Sequence, residues 1–367
     1  MMEIYEGLKR CLEKKERAVI ATIIGVEGSA YRREGAACLI REDGTVIGTV
    51  SAGCVEGDLF EHAKSVLETG IARQQHYDFR PEGDLLWGLG LGCNGALQVL
   101  LQPFDPVHDP ACADKLFHMY ETKVSCRKAC MVGIVIESDD PAKLPVGSPY
   151  IFDQEYQETL YFLGGSNGFT QLEIEGVSVT MYLENVRPRP RLVVCGAGPD
   201  AIPLVQGAKA LGWHVTLVDH RKEAISRDAF SAADELQLIN RDDYDKLSIP
   251  DDAHVVVMTH NYLLDAMLVK ALLPTSIPYL GVLGPRRRTD RILEESGMEN
   301  DGSHPDMLSK LHAPIGLDIG ADSPQEIALS ILAELTCKRN QRTGQSLTLR
   351  KEPLHDRNRQ AALQAQG

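Results

Sequence analysis

The stretch that most constrains this sequence is Leu-Val-Val-Cys-Gly-Ala-Gly-Pro-Asp-Ala at residues 192–201. A short apolar run leads into G-x-G-x-x-A, and a helix-compatible segment follows. Similar apolar runs recur at 215–219, 255–259 and 279–283. Unbroken runs of this length suit strands buried on both faces of a parallel sheet. The second run ends at Asp219, 23 residues beyond Gly196 and near the expected place for an acidic ribose ligand. Glycine at 196 and 198 lets the backbone approach a pyrophosphate, and the following helix offers unpaired N–H groups. The same residues also suit a tight β–α turn that only packs well, with Asp219 as a solvated strand end. Pro199 removes one donor from the loop. Either way, residues 187–340 read as a Rossmann-like, doubly wound parallel-sheet domain.

Two further features fall at the carboxyl edge of this sheet, where open α/β folds bind ligands. His260 follows the third apolar run. Gly284-Pro285-Arg286-Arg287-Arg288 follows the fourth, and Arg286 and its neighbours suit either a phosphate clamp or a solvated helix start. The glycine loop with Asp219 keeps an NAD(P)-dependent oxidoreductase open as an alternative function. No His–Asp or Tyr–Lys pair placed for hydride transfer is recognisable.

The first part of the chain has a different pattern. Residues 1–17 form an amphipathic helix pattern, 18–26 a β-rich run, and 36–41 and 45–51 two strands around Glu42-Asp43-Gly44. A helix is expected from Cys54 to Gly70. Cys54 therefore sits at a strand-to-helix junction, where the helix N-terminus favours the thiolate form. Glu56 would oppose that effect if close. Cys93 lies in Gly90-Leu-Gly-Cys-Asn-Gly95, a setting that leaves its sulfur accessible. Arg32 and Arg33 occupy a glycine-bounded loop, Gly28 to Gly35, suited to an anion or to solvent. Cys38 and Cys195, inside strands, read as small buried hydrophobes. Cys126 and Cys130, without a nearby histidine or third cysteine, read as structural. None of the nine cysteines forms C-x-x-C, so a zinc ribbon or ferredoxin-type cluster is not indicated.

Residues 105–186 show short apolar runs at 131–137, 160–163 and 171–183 between Gly, Ser and Asp clusters, a pattern of antiparallel sheet. Arg187-Pro-Arg-Pro-Arg191 is a stiff linker, because each proline fixes φ. The expected division is an N-terminal α/β domain with a mixed sheet at 1–104, its mostly β extension at 105–186, the Rossmann-like domain at 187–340 and a flexible tail at 341–367. Ser323, Pro324 and Glu326 form a capping box for the last helix of the third segment. Lys+Arg 38 against Asp+Glu 52 gives a net charge of −14, which argues against non-specific binding to nucleic acid or an anionic membrane. The uncharged run at 85–104 contains too many glycine and polar residues for a membrane span. With no export signal, a cytoplasmic location with reduced thiols is expected.

Taken together, these motifs resemble the XdhC/CoxI family, accessory factors of xanthine dehydrogenase and related molybdenum hydroxylases. The resemblance is carried by Gly28-Ser29 through Arg32-Arg33 to Gly35-Ala36, and by Gly48-Thr-Val-Ser-Ala-Gly-Cys-Val-Glu56. It continues through Cys195 to Ala201, Leu211-Gly-Trp213 to Asp219-His-Arg221, Gly281-Val-Leu-Gly-Pro285, and Pro314-Ile-Gly-Leu-Asp-Ile-Gly-Ala321 to Ala328. Tyr31, Glu34 and Ala52 stand where that family often has proline, proline and glycine. The resemblance implies a maturation factor rather than a catalyst. It would bind molybdenum cofactor, in its simple or dinucleotide form, hold it for sulfuration by a cysteine desulfurase, and deliver it to an apo-hydroxylase. Under that reading Cys54 contacts the thiophilic molybdenum, while Arg32, Arg33, Cys93, Gly196, Gly198, Asp219, His260 and Arg286 hold the rest of the cofactor. A homodimer is expected, as is common for such two-domain proteins.

Overall fold

The computed structural model describes residues 1–28, 30–51, 53, 55–80, 95–152, 167–226, 228–295, 297 and 305–349. Cys54, Cys93, the expected strand at 160–163 and the tail beyond residue 349 lie outside the described residues. Two compact units divide between Pro188 and Arg189.

The first unit is organised by β1 (Ala18–Gly28), which is buried on both faces. It pairs antiparallel with β2 (Ala37–Arg41), whose far side carries β3 (Val46–Gly48). After helix α2 (Glu56–Thr69) come β4 (Arg73–Asp78) and β5 (Gly95–Phe104), giving the order β3-β2-β1-β5-β4. Alternation along β1 sorts its side chains. Val19, Ala21 and Ile23 pack with Leu59, Ala63 and Val66 of α2. Ala18, Ile20 and Ile24 face the other way, toward α1 (Met2–Lys14) and α3 (Pro110–Ser125).

That second face also contacts a four-stranded antiparallel sheet of β6 (Cys130–Ser138), β7 (Pro149–Ile151), β8 (Gly168–Ile174) and β9 (Val177–Val186), in the order β7-β6-β9-β8. The run at 171–183, read from sequence as one strand, is a hairpin. Glu175 and Gly176 both have positive φ, 51° and 77°, and reverse the chain. Helix α3 has no counterpart in the sequence reading. Its cap is Asp109, whose carboxylate accepts the Cys112 N–H at 3.1 Å, with Pro110 in the first turn.

The second unit contains six parallel strands: β10 (Arg191–Cys195), β11 (His214–Asp219), β12 (Glu235–Leu238), β13 (Ala253–Val257), β14 (Tyr279–Val282) and β15 (Leu311–His312). Their order is β12-β11-β10-β13-β14-β15, so the chain reverses direction across the sheet between β10 and β13. The helices are α4 (Ala201–Ala210), α5 (Lys222–Ile225), α6 (Tyr262–Leu272), α7 (Arg286–Glu295), α8 (Pro305–Ser309) and α9 (Pro324–Arg339). Leu192, Val194 and Leu217 face α4 and α9 on one side; Val193, Cys195 and Val255 face α6 and α7 on the other. The sheet is thus covered on both faces, as doubly wound folds require. The expected capping box is present, with Glu326 N–H donating to Ser323 Oγ at 3.3 Å. No helix among the described residues is long and apolar enough to cross a membrane, and residues 95–104 of the uncharged run are strand β5.

At the amino edge of this sheet, His254 packs edge-on to Trp213 at 5.0 Å and near Tyr279 at 5.8 Å. Burial, helped by the Arg339 charge, holds its imidazole down at about 4, below its ordinary 6.5. The unfolded chain therefore takes up this proton first as pH falls. Stability is expected to drop by roughly 3 kcal/mol between pH 6.5 and 4 from this residue. Urea unfolding across that window checks it, and His254→Phe removes this part of the slope.

Candidate functional site

The glycine loop lies at the point where strand order reverses. Gly196 has φ +125°, and a Cβ there would sit 2.4 Å from the Met258 carbonyl oxygen. The glycine therefore allows the ends of β10 and β13 to touch. Gly198 differs. Its Cβ position is in ordinary contact with the His260 ring, 3.6 Å away, and its φ lies outside the left-handed region, so a methyl fits there without moving backbone. Within the loop, Gly196 N–H donates to Val218 O at 2.9 Å and Ala197 N–H to Asp219 Oδ2 at 2.6 Å. The Gly198 and Asp200 N–H groups have no hydrogen bond among the described residues. Helix α4 has no side-chain cap hydrogen bond; the carboxylate of its N-cap residue Asp200 lies beside His260 instead.

Asp219 is 1% exposed, so it is not a solvated strand end. Besides Ala197 N–H, its carboxylate accepts the Arg221 N–H at 2.8 Å, Arg221 Nε at 2.9 Å and Arg221 NH2 at 2.8 Å. Burial pushes this carboxyl up, but the Arg221 and Ala197 donors outweigh burial and bring it to about 2. The carboxylate thereby shapes the loop and aims Arg221, a half-exposed guanidinium that sequence reading did not single out. The D-x-R spacing at a strand end was the available signal.

His260 takes a left-handed conformation at φ 59° after β13. Its Nε2 lies 3.4 Å from Asp200 Oδ2, so it spans the reversal point and lies beside the glycine loop. Gly196, Gly198, Asp219 and His260 are thus brought together. Arg286 begins α7 beyond β14 and is exposed. Its neighbour Arg288 is paired with buried Asp265, which also accepts the Thr259 hydroxyl. The loops after β10, β11, β13 and β14 therefore place Arg221, His260, Arg286 and Arg288 along one carboxyl edge.

In the first unit, Glu56 organises the segment containing Cys54. Its carboxylate accepts the Ser51 N–H at 2.9 Å, the Thr49 hydroxyl at 2.7 Å and the Ser51 hydroxyl. Ser51 Oγ in turn accepts the Val55 N–H at 3.1 Å. This fold-back ends β3 at Gly48, short of the strand expected to residue 51. Burial raises the Glu56 carboxyl, yet the Ser51 and Thr49 donors leave it below the usual carboxylate range. Helix α2 starts at Glu56 with Val55 as its N-cap, so Cys54 immediately precedes the cap.

Arg32 is exposed and Arg33 half-buried in the loop between β1 and β2, and the Arg33 Nε is buried with no hydrogen-bond partner among the described residues. Gly35 closes this loop at φ +86°, its Cβ position 3.3 Å from the Glu184 carboxyl carbon. Cys38 and Cys195 are fully buried, and burial pushes both thiols up to about 12. Among the described residues, no group of three or more His, Cys, Asp or Glu side chains is placed to hold a metal.

Comparison with known proteins agrees with this architecture. Residues 192–335 match the XdhC Rossmann domain, and residues 11–78 match the XdhC and CoxI family. A Bacillus subtilis protein described as a probable xanthine dehydrogenase subunit is 35% identical over 349 residues, covering 91% of this chain and 97% of its own. The chain belongs to the XdhC and CoxI family. It is also 25% identical over 325 residues to the Escherichia coli molybdenum cofactor insertion chaperone PaoD, covering 88% of this chain and 83% of PaoD. A crystal structure of a Bacillus halodurans chain described as a xanthine dehydrogenase superposes with a TM-score of 0.72 at 30% identity, covering 92% of this chain and 96% of that one.

The two loop glycines differ in what a side chain would meet. Gly196→Ala is expected to destabilise the second unit by roughly 2–4 kcal/mol, from positive φ and the clash with Met258. Gly198→Ala is expected to cost less than about 1 kcal/mol, as an ordinary helix-entry substitution with room for its methyl. Denaturant unfolding of the two variants checks the contrast.

Proposed function

We propose that this chain is an accessory factor that takes molybdenum cofactor as cargo, holds it for sulfuration by a cysteine desulfurase and hands it to an apo molybdenum hydroxylase such as xanthine dehydrogenase. The observation that carries this reading is the similarity to the insertion chaperone PaoD along most of both chains. The second unit has chemistry suited to the phosphate part of such cargo. The N–H groups of Gly198 and Asp200, which have no hydrogen bond among the described residues, and the Arg221 guanidinium held by Asp219 are donors of the kind a phosphate takes. His260 and Arg286 extend this edge. Asp219 acts from below, as the acceptor that fixes the loop and Arg221.

The first unit is assigned the thiol chemistry. Cys54 directly precedes the N-cap of α2, where the helix dipole favours a thiolate, and molybdenum is thiophilic. The Glu56 charge is absorbed by three donors from Thr49 and Ser51, so it opposes a Cys54 thiolate less than an unpaired carboxylate would. Cys93, Arg32 and Arg33 are assigned to the same cargo. The protein acts as a homodimer in this reading.

An NAD(P)-dependent oxidoreductase is the rival reading, favoured by the strand order and the G-x-G-x-x-A loop. Against it, the Asp219 oxygens that would receive ribose hydroxyls are buried and already accept four donor contacts from Ala197 and Arg221.

Titration of the purified protein with released molybdenum cofactor tests the proposal. Cys54→Ala is expected to weaken binding roughly tenfold or more, about 1.4 kcal/mol. Retention of affinity within about twofold would remove the thiol from the assignment. Arg221→Ala is expected to weaken phosphate-bearing ligands by a similar factor. Saturable binding of NAD(H) or NADP(H) with turnover of a small substrate would favour the rival.

A further inference from the structure

Beside the loop that carries Arg32 and Arg33, the first unit buries an ion pair. Lys123 of α3 donates to Glu184 Oε2 of β9 at 2.6 Å, the lysine side chain 1% exposed and the glutamate 12%. Glu184 Oε1 has no hydrogen bond among the described residues. The loop closes against this carboxylate. Ala36 N–H donates to Arg33 O at 3.0 Å, Gly35 N–H donates to Ile23 O at 2.9 Å, and the Gly35 Cβ position is 3.3 Å from the Glu184 carboxyl carbon. Arg33, in that turn, makes no ion pair among the described residues.

Tyr182 stands two residues before Glu184 on β9 and so faces the same way. It is fully buried, and its hydroxyl has no hydrogen-bond partner among the described residues. Buried hydroxyls are rarely left in that condition. Opposite Tyr182 on β8 is Phe169, ring centroids 6.1 Å apart and edge-on. The Phe169 ring is 46% exposed and also reaches β1, 3.7 Å from the Gly25 Cβ position. Strand β8 begins at Gly168, opposite Leu183, so Glu184 lies just past its paired end. A carboxylate, a buried phenol and an exposed aromatic ring therefore share one face of β8 and β9, and the turn bearing Arg33 closes on that carboxylate.

We infer that this rim binds a planar 2-amino-4-oxopyrimidine heterocycle, the edge shared by pterins and guanine. The 2-amino group and the adjacent ring N–H are two neighbouring donors, which a carboxylate accepts side by side. The oxo group is an acceptor suited to the Arg33 guanidinium, and the flat ring stacks on Phe169. Lys123 is a positioning residue that fixes the Glu184 carboxylate. A simple anion would meet that carboxylate as a like charge, and an apolar ring would leave carboxylate and guanidinium desolvated without partners. For a pterin, the inference rests on the proposed cargo, whose organic end would sit here; for guanine it does not.

Isothermal titration of the full-length protein tests this with 6-hydroxymethylpterin, which carries neither phosphate nor metal, and with 6-hydroxymethyllumazine, in which an oxo group replaces the 2-amino group. Guanosine and inosine, which lacks the amino group, form the second pair. Saturable binding is expected for a parent compound, and the tighter of pterin and guanosine identifies the source. Its analogue without the amino group is expected to bind roughly tenfold or more weakly, because Glu184 loses a donor. Analogues within about twofold of their parents in both pairs, or no binding of either parent at about millimolar concentration, would overturn the inference. Phe169→Ala, at an exposed position, is expected to weaken the parent roughly fivefold or more, and unchanged affinity counts against the site. Glu184→Gln strands a buried lysine and destabilises the unit, so the ligand pairs, which need no substitution, decide the carboxylate's part. Titration with released cofactor separates the two readings. Cofactor binding without pterin or guanosine binding overturns the inference and leaves the cargo reading standing; pterin binding without cofactor binding does the reverse.

Discussion

The second unit depends on one hydrogen bond, from the Ala197 N–H to the buried carboxylate of Asp219. The bond joins the ends of two neighbouring parallel strands just where the chain leaves the sheet. It takes up one loop N–H, while those of Gly198 and Asp200 have no hydrogen bond among the described residues. Because the same carboxylate receives Arg221 through backbone and guanidinium, it also fixes where a positive charge stands. A buried carboxylate without these donors would be costly; with them it stays ionised, and loop and arginine are held as one arrangement. Gly196 completes it, since only a residue without Cβ fits against the Met258 carbonyl at that φ.

The first unit uses a comparable device. Glu56 folds back on Thr49 and Ser51, ends β3 early and sets the entry into α2. In both units a carboxylate near a chemically interesting loop is consumed by the loop's own donors. Judged from sequence, Asp219 and Glu56 look like free negative charges, one a ribose acceptor and the other an opponent of a neighbouring thiolate. Their hydrogen bonds instead make them scaffolding for the groups beside them.

This explains what was legible and what was not. The four inner strands β10, β11, β13 and β14 were readable because each is a short apolar run ended by glycine or a polar residue, as burial between two helical layers demands; the edge strands β12, exposed along its length, and β15, two residues long, were not. The α9 cap was readable because a capping box is local. Strand β4, Arg-Gln-Gln-His-Tyr-Asp, was not readable, since it lies at a sheet edge and buries mainly Tyr77. The β8–β9 hairpin was merged into one strand because its turn residue Glu175 is not a usual left-handed residue; the long pairing of β8 with β9 imposes that conformation. The gathering of Gly198, His260 and Arg221 depended on strand order, which no single motif specifies, and the pairing of Arg288 with Asp265 joins residues of different helices.

The charge balance has a consequence for the proposed cargo. At −14 the chain as a whole repels anions, so long-range steering does not account for uptake of a phosphate-bearing ligand. What remains is local. At the carboxyl edge, two acidic groups are neutralised by internal partners, Asp219 by Arg221 and Ala197, and Asp265 by Arg288 and Thr259. Arg221 and Arg286 are left with exposed charge there, beside His260 and the Asp200 carboxylate it faces at 3.4 Å. Under the proposed function, an anion would be recognised here at short range, by the geometry of the donors rather than by the field of the whole protein. That would suit the proposed hand-over, in which the ligand is presented at close quarters by another protein rather than captured from dilute solution.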